Sequence, residues 1–247
     1  MSELVTRSDD DGVAVLSLNR PEVLNALSPT LFVELRAHVD ALAADESIGV
    51  VVLRGEGRSF SAGNDLKAMQ AGERPPYRHH QAETIDAIEA LPQPVVGAVR
   101  GHCYTGALEL LLACDLIVVA DDARIADTHG RWGMAPTWGM TQRLPRRVGE
   151  YRAREMMFTG RDVSGTEAVT IGLANRSVPA DEVDDVAMAL ARQMAGQSWW
   201  TLRAEKELLA ATRDLSPTEG IAYEREHSPG AGPDMAERIA AGFGKKA

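Results

Sequence analysis

Gly49-Val50-Val51-Val52-Leu53, followed by Phe60-Ser61-Ala62-Gly63-Asn64-Asp65-Leu66, reads as a strand that runs into a turn of small residues before a helix opens. The apolar run has no polar interruption, which suits a strand covered on both faces. The design recurs where Val95-Val96-Gly97-Ala98-Val99 leads into Gly101-His102-Cys103-Tyr104-Thr105-Gly106-Ala107-Leu108-Glu109. The N-terminus of a helix carries unpaired N–H groups and a positive partial charge, so each turn can donate to an anion. Two such turns brought together make an oxyanion hole, commonly the largest single contribution to catalysis. On spacing alone, plain turn glycines explain the pattern as well.

Outward from these stretches, Val13-Ala14-Val15-Leu16-Ser17-Leu18 is an earlier strand. Ser28-Pro29 supplies a helix N-cap with proline at the first helical position. Phe32, Leu35, Val39 and Leu42 then recur at helical spacing through about residue 44. A helix over 81–91 stops before Pro92 and Pro94, and a strand over 116–120 follows a helix over 106–113. Strand–helix alternation of this kind predicts an α/β fold. Past residue 139 the periodicity is almost wholly helical, over 142–148, 151–158, 165–171, 181–194, 199–211 and 234–243. The paired prolines of 72–77 mark a loop.

Composition narrows the function. The 247 residues suffice for one large domain or two small ones, and 45% hydrophobic with 25% charged residues is ordinary for a soluble protein. Acidic residues outnumber basic ones by 36 to 26, a formal charge of −10. That balance argues against nucleic acid or a membrane surface as the partner, while leaving room for a local basic pocket. Cys103 and Cys114 lack a CxxC partner and are expected to be buried free thiols in a reducing compartment. His79-His80 lack a third ligand, so no metal is expected. No signal peptide is expected at the N-terminus, and the apolar run over 110–120 is broken by Asp115 and too short for a bilayer. The expected location is cytoplasmic.

Four motifs carry a family resemblance. Phe60 through Leu66 resembles the F-x-A-G-x-D-[LI] signature of the enoyl-CoA hydratase/isomerase (crotonase) family. Leu18-Asn19-Arg20-Pro21 with Asn25-Ala26-Leu27 is similar to its L-N-R-P…N-A-[LM] signature. Residues 101–115 resemble its N-G-x-x-x-G-G-G-x-E-L-x-x-x-C-D segment. Thr141-Gln142-Arg143-Leu144-Pro145, then Val148-Gly149, Ala153 and Thr159-Gly160, resemble its downstream T-Q-R-L-x-x-x-V-G…A…L-T-G run. The resemblance spans essentially the whole chain. It implies a crotonase-like spiral of ββα units over 1–190, with a C-terminal helical trimerisation region over 191–247.

The resemblance also implies an acyl-CoA substrate, with coenzyme A entering as part of the thioester and no separate cofactor. The oxyanion donors become the backbone N–H groups of Asn64 and Gly106. Asn25, Ala26 and Leu27 with Ala62, Asn64, Asp65 and Leu66 become the walls for the adenine and pantetheine portions. For Asp65 a helix cap stands beside contact with the adenosine. Thr105 and Ala107 occupy positions where the family often has glycine. Trp132, with Trp138 and Tyr104, is expected to shape the acyl pocket or simply to pack. Phe243, Lys245 and Lys246 are placed to approach the CoA phosphates from a homotrimer or homohexamer whose terminal helices cover the site.

Glu109 matches the first of the family's two hydratase glutamates. A carboxylate among Leu108, Leu110, Leu111 and Leu112 is costly to bury without purpose or partner, and burial raises its pKa towards useful values. A buried ion pair or an exposed helix face is the alternative. The second glutamate is absent: counting back from the 141–144 anchor, its position holds His129. Histidine exchanges protons near neutrality, so it can act as the second acid/base, orient the substrate, or only pack. Asp127, two residues earlier, is a candidate to orient it. The resulting expectation is a lyase that hydrates a 2-enoyl-CoA, as in fatty acid metabolism. The alternatives are another enolate reaction (isomerisation, C–C hydrolysis or decarboxylation) and a non-catalytic acyl-CoA-binding protein.

Overall fold

Asp11 and Gly12 both sit at positive φ, 46° and 77°, as in the primed turns whose twist matches that of paired strands. They join β1 (Val5–Asp10) antiparallel to β2 (Val13–Leu18). β1 was not anticipated: its sequence is polar and its outer half exposed, so no apolar alternation marks it. The Asp-Gly pair was the available signal. The computed structural model describes residues 3–243.

α1 (Pro29–Ala43) begins as predicted, with the Ser28 side chain accepting from Leu31 N–H. β3 (Val50–Gly55) returns parallel to β2. The turn that follows opens α2 (Leu66–Gln70), and α3 (His80–Glu89) packs on α1. From here the chain repeats one unit. β4 (Val95–Val99) enters the main sheet, β5 (His102–Tyr104) turns into a second layer, and α4 (Gly106–Leu111) returns. β6 (Leu116–Ala120), β7 (Arg124–Ala126) and α5 (His129–Trp132) do the same. α6 (Met140–Val148), α7 (Glu150–Thr159) and α8 (Gly165–Thr170) precede β8 (Arg176–Val178).

The main sheet has the order β1-β2-β3-β4-β6-β8, parallel except for β1, and β5 pairs with β7 in the second layer. Isolated bridges extend that layer: Leu27 to Asn64, Ser61 to Cys103, and Ile125 to Val163. This is the expected spiral of ββα units. Its second layer was illegible in the sequence because two or three residues are too few to show a period. The layer brings the loops after successive main-sheet strands side by side.

α9 (Val183–Ala195) lays Val183, Ala187 and Ala191 against the sheet. It runs through the boundary expected at 190/191, because its buried face continues to Ala191. Trp199 then packs over Gly12 and Gly49, with its Nε1–H donating to Ala195 O at 2.7 Å. α10 (Trp199–Thr212) and α11 (Pro217–His227) bury no residue, and Leu209, Leu215 and Ile221 are exposed on or between them. α11 was missed, although Ser216 and Glu219 form a capping box. α12 (Met235–Phe243) closes the described chain.

Candidate active site

The two small-residue turns meet. Ser61 N–H donates to His102 O at 2.9 Å and Tyr104 N–H donates to Ser61 O at 3.3 Å. Gly63 is at φ 90°, and a Cβ there would collide with Tyr104 O while lying 3.6 Å from Gly106 N. Around Asn64 the main-chain donors are satisfied: Gly63 N–H by Ser61 Oγ at 3.1 Å and Asp65 N–H by Leu27 O at 3.1 Å. Asn64 N–H and Gly106 N–H have no acceptor among the described residues. Neighbouring donors left without partners, one at half-buried Asn64 and one at buried Gly106, are uncommon and suit an incoming oxyanion.

Thr105 carries the cost of aiming Gly106. It holds φ 53° and ψ −107°, a region that favours glycine and strains a β-branched residue. Its N–H donates to Ala126 O at 2.8 Å, its Oγ1 accepts from Thr128 N–H at 3.1 Å, and the two threonine hydroxyls are hydrogen-bonded. Glycine is therefore not needed at this turn, because side-chain bonds hold the torsion.

Three residues along α4 from Gly106, on the same face, Glu109 is 1% exposed. Its Oε1 accepts from Trp138 N–H at 2.9 Å and Met140 N–H at 3.1 Å, while Oε2 faces His129 Nε2 at 3.7 Å. Burial pushes the carboxyl above its ordinary value. The two N–H donors and His129 oppose that shift without cancelling it.

His129 is 8% exposed. Its Nδ1 lies 2.6 Å from Asp127 Oδ1, which also accepts from His129 N–H at 3.0 Å. A carboxylate only accepts, so Nδ1 carries the proton and Nε2 is turned to Glu109. Burial lowers the imidazole, but the hydrogen bond and charge of Asp127, with the charge of Glu109, outweigh it, and the net shift is upward. Asp127, His129 and Glu109 thus lie in one buried row, the first two joined by a hydrogen bond and the last two by a 3.7 Å contact.

The expected CoA walls divide. Asn25 turns inward: Nδ2 donates to Glu56 O and Ser59 O, and Oδ1 accepts from Arg20 N–H. Its side chain secures a left-handed turn at φ 53° and is spent there. Leu27 lies in the core, and Ala62 N–H donates to Leu24 O at 2.8 Å. Ala26, Asp65 and Leu66 line a groove of about 680 Å³ together with Arg20, Arg58 and Lys67. Asp65 caps α2 through Ala68 N–H at 3.0 Å and pairs with Arg20 at 2.8 Å. Arg20 entered only as part of the Leu18–Pro21 motif, and Arg58 and Lys67 were not singled out in the sequence, since isolated basic residues give no local signal.

Trp132 is 58% exposed. Trp138 instead packs on Gly106, where an added Cβ would collide with its ring, and meets Phe32 edge-on at 5.1 Å. Phe243 ends α12, but its side chain lies outside the described residues, as do Lys245 and Lys246. Among the described residues no helix is long and apolar enough to cross a membrane.

Comparison with known proteins agrees with this geometry. The enoyl-CoA hydratase/isomerase family matches residues 8–229. A 2,3-dehydroadipyl-CoA hydratase of Escherichia coli is 34% identical, over 92% of this chain and 89% of its own. An enoyl-CoA hydratase structure from Bacillus anthracis superposes with a TM-score of 0.92 at 32% identity, covering 98% and 96% of the two chains. One from Geobacillus kaustophilus gives 0.89 at 34% identity, covering 100% and 98%.

Proposed function

The chain belongs to the enoyl-CoA hydratase/isomerase family, and from that premise we propose that it is a lyase adding water across the double bond of a 2-enoyl-CoA. The observation that carries the reading is the pair Glu109 Oε2 and His129 Nε2, 3.7 Å apart, with Glu109 on the helix that begins with the unpaired Gly106 N–H and His129 at the start of α5. Two atoms at that spacing can both bond one water at about 2.8 Å.

The thioester oxygen accepts from Asn64 and Gly106 N–H. Glu109 takes a proton from the water as its oxygen bonds to carbon 3, and the double-bond electrons move through carbon 2 to the thioester oxygen. The two N–H groups hold that enolate. His129, kept protonated by Asp127, delivers a proton to carbon 2. Glu109 finishes protonated and His129 neutral, so one transfer between these neighbours resets the site. Histidine here does the work of a carboxylic acid, which is why it needs Asp127 behind it.

Arg20, Arg58 and Lys67 suit the CoA phosphates, with Ala26 and Leu66 beside them. Coenzyme A enters as substrate only. The uncovered apolar residues of α10 and α11 support a homotrimer or homohexamer. Two buried free cysteines support a reducing, cytoplasmic location. The test is loss of the conjugated enoyl-thioester absorbance with crotonyl-CoA and longer homologues, with 3-hydroxyacyl-CoA identified by mass. Tight acyl-CoA binding without turnover would make the protein a binder. Free acid or carbon dioxide from a 3-oxo thioester would assign another enolate reaction.

A further inference from the structure

The segment between α5 and α6 has no helix or strand over 134–139, yet it supplies the Trp138 N–H donor to Glu109 Oε1 and leads directly into the second donor, Met140 N–H, at the start of α6. An irregular segment holds a catalytic geometry only if something fixes it. Arg143, part of the Thr141–Pro145 motif, has a side chain only 12% exposed. Its Nη1 donates to Trp138 O at 2.8 Å. Nε and Nη2 donate to Glu89 Oε2 at 2.9 and 2.6 Å, and Nη2 also reaches Asp86 Oδ1 at 2.6 Å. Glu89 is in turn held by Arg213 at 2.8 Å. Burial alone would raise the Glu89 carboxyl, but Arg143 and Arg213 bring it below its ordinary value, so it stays charged.

We propose that Arg143 is the positioning residue of this site, clamped by Glu89 to grip the Trp138 carbonyl and so aim the Trp138 and Met140 N–H groups at Glu109. The same grip seats the Trp138 ring on Gly106, so one guanidinium sets both the acid/base and the oxyanion side. Gly139 is at φ 110°, and a Cβ there would collide with Arg143 Nη1. The guanidinium thus lies directly over the chain it holds. Lysine cannot replace it, because acceptors on different sides of a planar fork are served by separate N–H groups.

The inference rests on Glu109 being the acid/base of the proposed hydration, and the test separates the two. Arg143→Gln, Arg143→Lys and Glu89→Gln are compared with the parent for kcat, KM and the ¹³C titration of the Glu109 carboxyl, assigned through Glu109→Gln. A misplaced catalytic group costs up to about 10²-fold. Arg143→Gln is expected to lose about ten- to a hundredfold in kcat, with KM changed less than about threefold. The Glu109 midpoint moves up as its donors drift while His129 and Asp127 stay in place. Arg143→Lys recovers only part, and Glu89→Gln shows the same pattern more weakly. If the parent hydrates no enoyl-CoA, the functional reading falls while the carboxyl titration still decides the inference. An unmoved Glu109 midpoint in folded Arg143→Gln overturns it, as does a parallel fall of kcat, KM and melting temperature in every variant. If Arg143→Gln does not fold, Arg143→Lys and Glu89→Gln carry both readouts.

Discussion

Glu109→Gln isolates the chemistry of the carboxylate from its place in the fold. Glutamine has the same shape and keeps an oxygen for Trp138 and Met140 N–H, now 2.9 and 3.1 Å from Oε1. Hydrogen bonds to a charged acceptor contribute about 1.5–3 kcal/mol and neutral ones about 0.5–1.5, so the exchange weakens both bonds by roughly 1 kcal/mol each. Against this, the variant no longer buries a carboxylate whose folded value lies above the ordinary 4.5. A carboxyl raised by folding adds stability below its unfolded pKa and loses that as pH rises through the folded one. The melting temperature of Glu109→Gln relative to the parent should therefore improve from acid to neutral pH. Positioned proton transfer is worth about 10²–10⁴-fold, or roughly 3–5 kcal/mol of barrier. The expected result with crotonyl-CoA is a loss of that size in kcat, with KM changed less than about threefold. Stopped-flow absorbance gives both constants and differential scanning fluorimetry across pH gives the stability. A variant keeping more than about a tenth of parental kcat, against the expected range, would refute Glu109 as the proton acceptor.

Asp127→Asn removes the charge that holds His129 above its ordinary 6.5. The basic limb of kcat/KM should move to lower pH, and kcat should fall by about 10² or more. Because folding raises His129, its stabilising contribution is complete below 6.5 and fades as pH rises through the folded value, so the stability lost in Asp127→Asn is largest on the acid side. Gly106→Ala places a Cβ against the Trp138 ring; kcat should fall about 10²–10³-fold and unfolding by urea should show a loss of about 1–3 kcal/mol. Replacing Arg58 and Lys67 by alanine should weaken binding of CoA thioesters about tenfold, roughly 1.4 kcal/mol. Calorimetry should show no such loss for pantetheine thioesters, which lack the adenosine phosphates.

What was legible beforehand was local. The Ser28 cap, the apolar strands flanking each turn, and the turns at Ala62-Gly63-Asn64 and Thr105-Gly106 depend on residues a few positions apart. So did two signals that were overlooked: the Asp11-Gly12 hairpin and the Ser216 capping box. Glu109 stood out because a carboxylate inside an apolar helix demands a partner, and His129 because it replaces one. What each side chain does was a different matter. Asn25 lies in a motif yet spends its amide on Arg20, Glu56 and Ser59, and Trp132 points to solvent while Trp138 packs the site.

Glu109 meets Trp138 across 29 positions and Arg143 meets Glu89 across 54. Sequence specified those residue types but carried no record of their meeting. Caps, turns and periodic faces are settled by backbone torsions and neighbouring side chains. Burial, shared protons and the aim of an irregular segment arise only when the spiral stacks distant strands and takes their loops out of water.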